Sequence, residues 1–144
     1  MDRKTLRNLP SNYAVCILAD CPMASQCLRH VAFDEMAERS DFMRVISPCV
    51  CSKNEKCKHY RSAQPLTFAL GFTNMQKRMY PDQYKRFVNL LMQDHGRTTF
   101  YKKRKGTKPL HPKEQAKILS ILRRIGITEE LKFDRYEEMY DTSD

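Results

Sequence analysis

The sequence lacks several features that define common classes of protein. It has no Trp and four Gly in 144 residues, so it offers little material for the glycine-rich loops that cradle phosphates in nucleotide-dependent enzymes. No apolar run approaches the roughly eighteen residues of a transmembrane helix, and residues 1–10 carry charges without an apolar run behind them. Neither a paired-carboxylate signature nor a nucleophile elbow is visible. We therefore expect a soluble, cytoplasmic protein that is not an enzyme.

Acidic residues are scarce in much of the second half of the chain. Residues 76–124 contain fourteen Lys or Arg but three Asp or Glu, whereas residues 128–144 contain seven acids and two bases. A concentrated basic surface attracts phosphate-rich partners such as nucleic acid, and an acidic tail can compete with them. The alternative is a solvated helical surface laced with salt bridges, and both interpretations stay open.

Cysteines are absent after Cys57, and all six lie between positions 16 and 57. Where thiols stay reduced, such clusters bind metals more often than they form disulfides. Five residues separate Cys21 from Cys27, and five separate Cys51 from Cys57. Each pair has one further cysteine upstream and one histidine downstream, which are Cys16 and His30 for the first pair and Cys49 and His59 for the second. The repeated spacing predicts a metal site.

Several metal sites fit these residues. Tetrahedral zinc takes four thiolate or imidazole ligands at about 2.0–2.3 Å, and cysteines a few residues apart supply two of them from one loop. One site with four thiolates is an option, and two sites that each include His30 or His59 are another. An iron–sulfur cluster uses the same thiolates. We expect zinc, with an iron–sulfur cluster as the alternative and buried or disulfide-bonded cysteines as the remaining hypothesis.

Hydrophobic patterning predicts a mainly α protein. We expect residues 1–64 to form a cysteine-rich, metal-stabilised module with little regular structure, packed as one compact unit on a helical bundle of residues 65–144. The elements predicted in the module are an extended segment over 13–18, a helix over 24–37 and a short strand over 41–46. The helices predicted in the bundle cover 65–79, 83–94, 98–105 and 112–125, followed by a short helix that a capping box of Asp134 and Glu137 opens.

The most basic segment combines hydroxyl groups, aromatic rings and cations. Hydroxyls and free amides at a helix N-terminus bind phosphate oxygens, and Lys or Arg farther along adds charge or, for Arg, contacts to base edges. The candidate nucleic-acid-binding residues are Arg97, Thr98, Thr99, Tyr101, Lys102, Lys103, Arg104 and Lys105. We expect the three lysines of this set to lie on the solvent side of a helix that buries Phe100.

The order of elements in this region is informative too. A helix that ends near Asp94, a turn at Gly96, a short basic helix and a long amphipathic helix resemble, over residues 83–126, the helix-turn-helix of repressor-type DNA-binding domains. Lys103 stands where that resemblance expects a buried apolar residue. The main hypothesis is thus a metal-stabilised regulator or accessory protein that binds DNA. The alternatives are a protein–protein adaptor with a structural metal site, and an iron–sulfur or redox carrier.

A set of residues spread over nearly the whole chain carries a second resemblance. These residues are Cys16, Cys21, Pro22, Cys27, Leu28, Arg29, Pro48, Cys57, Gly71, Phe72, Gly96, Arg97, Tyr101, Arg104, Gly106, Pro112, Gln115, Gly126, Phe133, Asp134 and Tyr136. The pattern resembles an uncharacterised bacterial family of small cysteine-containing proteins, a domain of unknown function. The resemblance implies a bacterial cytoplasmic protein and favours one metal site of Cys16, Cys21, Cys27 and Cys57. Cys49 and Cys51 have no counterpart in that pattern.

Overall fold

The structure is a computed structural model that describes residues 3–54 and 56–143. Helix makes up about 44% of the chain and strand about 11%, so the expected α-dominated class is confirmed, with a short two-stranded sheet in addition. Contacts within the chain divide it into two compact units. We call Met1–Leu66 with Met139–Asp144 the cysteine unit, and Thr67–Glu138 the helical unit. Over the described ranges, no helix has both the length and the apolar character needed to cross a membrane.

The cysteine unit is built from short elements around a small core. Its helices are α1 (Arg3–Leu6), α2 (Leu28–Val31) and α3 (Phe33–Arg39), with 3-10 turns at Ala24–Gln26 and Pro48–Val50. Its core contains Leu6, Leu9, Tyr13, Val15, Leu28, Ala32, Met36 and Tyr140. We expected strands over 13–18 and 41–46. In the described part of the chain these two segments form only a single parallel bridge, between Val15 and Val45.

The prediction of one continuous helix over residues 24–37 is wrong, because the segment is divided at Cys27. Cys27 has extended backbone angles, φ −96° and ψ 120°, and forms an antiparallel bridge with Ser62. The Leu28 N–H donates to the Arg61 carbonyl at 2.6 Å. Because this pairing needs an extended residue, the 3-10 turn ends before Cys27 and α2 begins after it.

The helical unit contains the long helices. Its elements are β1 (Leu66–Leu70), α4 (Thr73–Gln76), α5 (Pro81–His95), α6 (Arg97–Lys105), α7 (Pro112–Arg124) and β2 (Arg135–Met139). The predictions of α5, α6 and α7 are confirmed to within a few residues. Phe72 packs edge-on against both Phe87 and Phe100, with ring centroids 5.8 Å apart in each pair. These rings connect the segment between β1 and α4 with α5 and α6 through one core.

Two predicted helices in this unit are wrong. Residues 66–70 form β1 instead of the start of a helix, and Ala69 exchanges backbone hydrogen bonds with Leu110. The expected capping box of Asp134 and Glu137 opens no helix, because residues 135–139 form β2 and pair with β1. The carboxylate of Asp134 accepts instead from the Thr73 and Asn74 N–H groups, each at 2.9 Å. It therefore caps α4 and not a helix of its own.

Two glycines allow α6 to approach the end of β1. Gly71 has φ +83°, and a Cβ there would lie 2.7 Å from Asp134 Oδ2 and 3.2 Å from the Arg104 carbonyl. Gly106, with φ +87°, ends α6, and a Cβ there would lie 3.3 Å from the Gly71 nitrogen. The Phe72 N–H donates to the Arg104 carbonyl at 3.1 Å. The last turn of α6 is therefore fixed against the segment after β1.

Candidate metal centre and basic helix

One small cavity in the cysteine unit gathers most of the predicted ligands. Its volume is about 20 Å³, which is enough for one water-sized group. The candidate ligands that line it are Cys16, Cys21, Cys27, Cys51, Cys57, His30 and His59. Cys49 is exposed in the 3-10 turn that precedes Cys51. The structure thus brings together the four cysteines that the family pattern favours, and places Cys51 among them.

Two of these thiols already have the spacing of metal ligands. Cys51 Sγ and Cys57 Sγ are 3.7 Å apart, far more than the roughly 2.05 Å of a disulfide. A regular tetrahedron with Zn–S bonds of about 2.3 Å places its sulfurs about 3.8 Å apart. No set of three or more His, Cys, Asp or Glu side chains in the described ranges stands ready to hold a metal ion. The Cys51–Cys57 pair is therefore the part of the cluster with ligand spacing.

The thiols of this pair differ in acidity. The backbone N–H of Lys53 stabilises the Cys51 thiolate, but burial together with the sulfurs of Cys57 and Cys16 outweighs it and raises the Cys51 pKa. Burial opposes ionisation of Cys57 as well, yet backbone N–H groups, that of His59 first among them, lower the Cys57 pKa. Cys57 is the more acidic of the two, and the thiolate is the form that binds metals.

Arg29 holds the cysteine-bearing segments together from inside. Its side chain lines the cavity, and the residue is only 4% exposed. The guanidinium donates to the His59 carbonyl and to the Ala14 carbonyl, both at 2.9 Å, and the Cys16 N–H donates to the Arg29 carbonyl at 3.0 Å. Charged hydrogen bonds of this kind are among the stronger ones in proteins. Spacing arguments missed Arg29 as a site residue, and its place beside Cys27 in the family pattern was the available signal.

An ion pair connects the two cysteine loops. Lys53, two residues after Cys51, has its Nζ 2.8 Å from Asp20 Oδ2, and Asp20 directly precedes Cys21. Lys53 also has a left-handed backbone with φ 54°, which turns the chain between Cys51 and Cys57. Both side chains are exposed, so the ion pair adds little stability. It shows which residues of the two loops are neighbours.

The second group of predicted site residues lies on α6. Five of the eight candidates share one side of this helix, where Thr98, Arg97, Lys102 and Lys105 are exposed and Tyr101 is 37% exposed. The opposite side buries Phe100 and Lys103. Thr99 is half-buried. The basic segment is thus divided between a solvent face and a packed face.

The expectation that Lys103 faces solvent is wrong. Lys103 is 5% exposed, and its Nζ lies 2.5 Å from Glu114 Oε2 and 3.2 Å from His95 Nδ1. Two elements, α5 and α7, supply these partners. Lys103 is therefore a buried structural cation that connects three helices.

Arg104 is also committed to the fold. Its guanidinium donates to the Gln76 side chain and lies 5.9 Å from the centre of the Tyr84 ring. Its carbonyl accepts the Phe72 N–H. Because Gln76 and the Tyr84 ring already engage its guanidinium, Arg104 is poorly placed to contact a base edge.

The connection between α5 and α6 departs from a helix-turn-helix. Only Gly96 separates the two helices, with φ 75° and ψ 166°, whereas the motif uses a turn of about three to four residues. Gly96 also provides no side chain to cap the N-terminus of α6.

Comparison with known protein families identifies the family of this chain. A family described as "Family of unknown function (DUF6078)" matches residues 1–142. The chain belongs to this family. No curated protein matches the chain, and no solved structure does. Since membership of DUF6078 carries no assigned activity, the geometry of the site is the basis for any functional conclusion.

Residues of the resemblance that lie in the helical unit of this DUF6078 protein support its fold. Asp134 caps α4, and Gly71 and Gly106 permit the contact between α6 and the end of β1. Gln115 Nε2 donates to the Thr67 and Leu110 carbonyls, both at 2.9 Å. In the cysteine unit, five of the eight corresponding residues line the small cavity, and these are Cys16, Cys21, Cys27, Arg29 and Cys57. The cysteine cavity is therefore where this pattern points to chemistry.

Proposed function

We propose that this protein is a metal-stabilised, nucleic-acid-binding accessory protein, in which zinc holds the cysteine unit and the exposed face of α6 contacts phosphates. The observation that carries the nucleic-acid part is the composition of that face. It presents the cations Arg97, Lys102 and Lys105 beside Tyr101 and Thr98, and α6 contains no acidic residue.

The five side chains form a continuous surface. At about 100° per residue, positions 97, 98, 101, 102 and 105 fall within an arc of about 140° on the helix. The first N–H groups of α6 lie at the N-terminal end of this face, and the N-cap residue Gly96 has no side chain that could accept hydrogen bonds from them. A helix N-terminus attracts anions because its amide dipoles point outward. Cations, hydroxyl and amides on one arc suit a run of backbone phosphates.

An accessory role is favoured over an operator-reading regulator. Phosphate contacts position a protein on nucleic acid but carry no sequence information. Sequence is read by contacts to base edges, and two candidate cations, Lys103 and Arg104, are instead engaged within the helical unit. Arg97 is left as the one arginine of the exposed face of α6. We therefore expect binding with weak sequence preference.

The metal part of the proposal rests on the cysteine cavity. The cavity, about 20 Å³ in volume, has room for one water-sized group, and we favour a single zinc ion over an iron–sulfur cluster. Cys51 and Cys57 supply two ligands at tetrahedral spacing. Cys16 lines the same cavity as this pair, and we assign it as the third. Cys21 or Cys27 completes the set.

Salt-dependent binding tests the nucleic-acid part. Duplex DNA labelled with a fluorophore is titrated at several salt concentrations with the wild type and with the triple variant Arg97→Ala, Lys102→Ala, Lys105→Ala. Three lost phosphate contacts should flatten the slope of log K against log salt by roughly 2.7 and weaken all sequences alike. The matched control is Lys85→Ala, Arg86→Ala, Lys132→Ala, which removes the same charge from exposed residues outside α6.

The control should keep the wild-type slope more closely than the α6 variant. Absence of binding by the wild type at low salt, or equal slopes for the two triple variants, rejects the nucleic-acid part. A protein–protein adaptor then becomes the better hypothesis. Metal analysis of natively purified protein separates zinc from iron in the same preparation.

A further inference from the structure

The cavity in the cysteine unit has more thiols than one tetrahedral metal binds. Zinc takes four ligands, whereas five cysteines line this cavity, and these are Cys16, Cys21, Cys27, Cys51 and Cys57. All six cysteines of the chain are free thiols. A site with more thiols than its metal needs is open to a second reaction, and the distances between the thiols decide which reaction that is.

The pair Cys51 and Cys57 has the geometry of a reactive dithiol. The Sγ atoms are 3.7 Å apart, so they need to approach by less than about 2 Å to reach the length of a disulfide bond. A turn of the backbone holds them side by side. Lys53 has a left-handed φ of 54°, and the Cys57 N–H donates to the Asn54 carbonyl at 3.0 Å. The turn brings Cys57 back beside Cys51.

Exposure selects the same pair. Cys51 and Cys57 are both half-buried, whereas Cys27 is buried. A small oxidant reaches partly exposed thiols more readily than buried ones. A sulfenic acid that lies beside a second thiol condenses with it to a disulfide, and this condensation protects the sulfur from irreversible oxidation. The contact between the two sulfurs therefore favours a disulfide as the product.

We propose that Cys51 and Cys57 form a reversible disulfide when hydrogen peroxide oxidises them, and that this modification releases the zinc. In the first step one thiolate sulfur attacks a peroxide oxygen, so that an S–O bond forms, the O–O bond breaks and hydroxide leaves. In the second step the other thiol attacks the sulfenic sulfur, so that the S–S bond forms, the S–O bond breaks and water leaves. Two thiols and one hydrogen peroxide thus give one disulfide and two waters.

The disulfide removes two of the four ligands that we assign to the zinc. The thiolate is the form of cysteine that binds metals, and neither sulfur of a disulfide is a thiolate. Loss of the metal removes the folding free energy that it contributes to the cysteine unit. A small dithiol such as dithiothreitol should restore both thiols by exchange. The release of zinc rests on the proposed metal site, whereas formation of the disulfide does not.

Peptide mapping of the full-length, zinc-loaded protein after treatment with hydrogen peroxide tests the disulfide. Trypsin cuts after each Lys and Arg, so Cys51 and Cys57 fall in separate peptides, residues 45–53 and 57–58. The other three cysteines of the cavity fall together in residues 8–29. Treated wild type should give the first two peptides joined to each other, and dithiothreitol should separate them. A chromogenic chelator in the same sample should detect zinc as the joined peptides accumulate.

Two matched variants identify the sulfur that is joined to Cys57. Cys49 lies in the same tryptic peptide as Cys51, but it is exposed and does not line the cavity. Cys49→Ser should therefore form the joined peptides to the same extent as the wild type, and Cys51→Ser should form none. If Cys51→Ser fails to fold, the map of Cys49→Ser still decides, because Cys51 is then the one cysteine in its peptide.

The outcomes separate this inference from the proposed function. Protein that holds no zinc before treatment contradicts the proposed metal site, and the map then tests the disulfide alone. Absence of the joined peptides after treatment would overturn the inference, as would a disulfide that involves residues 8–29 or loss of the joined peptides in Cys49→Ser. Zinc that stays bound after the disulfide has formed would also overturn it, since the remaining thiols would then suffice as ligands.

Discussion

At the scale of single residues, the pairing of Lys103 has a large energetic consequence, because Lys103 is a buried charge in the helical unit. A buried ammonium is costly unless it is paired, and the loss of one partner leaves an uncompensated charge. Glu114 is the anionic partner of Lys103 and is itself about a third exposed, with a side-chain accessibility of 35%. The carboxylate therefore tolerates the loss of the lysine better than the lysine tolerates the loss of the carboxylate.

We predict that Glu114→Gln destabilises the protein more than Lys103→Met. The first change leaves the Lys103 charge buried at 5% exposure and should cost about 3 kcal/mol. The second removes the buried charge, replaces it with an unbranched apolar chain of similar length, and should cost about 1 kcal/mol. Urea unfolding of both variants measures the difference. The reverse order would mean that Lys103 is stabilised by something other than Glu114.

His95, the other partner of Lys103, predicts a pH dependence. Burial first and the Lys103 charge second lower the His95 pKa, although Glu114 and Asp94 oppose the shift and Lys117 adds to it. The unfolded chain therefore binds a proton at a higher pH than the folded chain does. Stability should be complete above the unfolded pKa of about 6.5 and should fall as pH decreases through it toward the lower folded value.

The variant His95→Asn should remove this part of the pH dependence, because Asn keeps an acceptor near the position of Nδ1 but does not titrate. Melting temperatures between about pH 7.5 and about pH 5 measure it, a window that lies above the titration of most carboxyl groups. If wild type and His95→Asn lose the same stability over this window, His95 is not the group responsible.

At the scale of secondary-structure elements, local periodicity explains what could be predicted. The helices α5 and α7 were found because each places its apolar residues at helical spacing within one continuous segment, as Phe87 and Leu91 do in α5. The short helix α6 was predicted instead from its position between Gly96 and Gly106. The strands β1 and β2 were missed because each is stabilised by a partner about seventy residues away, as the bond from Thr67 Oγ1 to Glu138 Oε1 illustrates. Periodicity within a segment contains no information about such a partner.

The contact of Gly71 with Asp134 gives a prediction at this scale. Gly71 and Gly126 both have positive φ, +83° and +95°, so an alanine is strained at either position. At Gly71 the new Cβ would also meet Asp134 Oδ2 at 2.7 Å, whereas at Gly126 nothing lies within 4 Å. Gly126→Ala should therefore cost about 1 kcal/mol, and Gly71→Ala about 2 kcal/mol more because it displaces the cap of α4. Equal losses in chemical denaturation would show that the Asp134 cap adapts freely.

At the scale of the whole molecule, the sequence located the cysteine cluster but not its arrangement. Repeated spacing singled out Cys21, Cys27, Cys51 and Cys57, and all four line one cavity in the structure. The pairing of Cys51 with Cys57 follows from the five-residue spacing within one loop, and their Sγ atoms lie 3.7 Å apart. Which of Cys16, Cys21 and Cys27 meets that pair depends on how the loops come together, and spacing within a loop contains no information about it. The burial of Arg29 likewise depends on carbonyls thirty and fifteen residues away.

The two units have separate hydrophobic cores, so removal of the metal should affect them unequally. A structural zinc contributes folding free energy directly, and a small unit with short helices depends on it more than one with three long helices.

We predict that a chelator releases zinc and abolishes amide protection in residues 3–54 and 56–66, while protection in residues 81–124 persists. Hydrogen exchange followed by mass spectrometry measures both regions in one sample. Cys57→Ser should reproduce the effect of the chelator, because Cys57 belongs both to the site that we propose and to the four-cysteine site that the family pattern favours. The matched control is Cys49→Ser, since Cys49 is exposed and does not line the cavity, and this variant should keep its zinc and its amide protection.

Equal loss of zinc in Cys57→Ser and Cys49→Ser would reject the cavity as the metal site. Uniform loss of amide protection across the chain would show that the metal stabilises both units together.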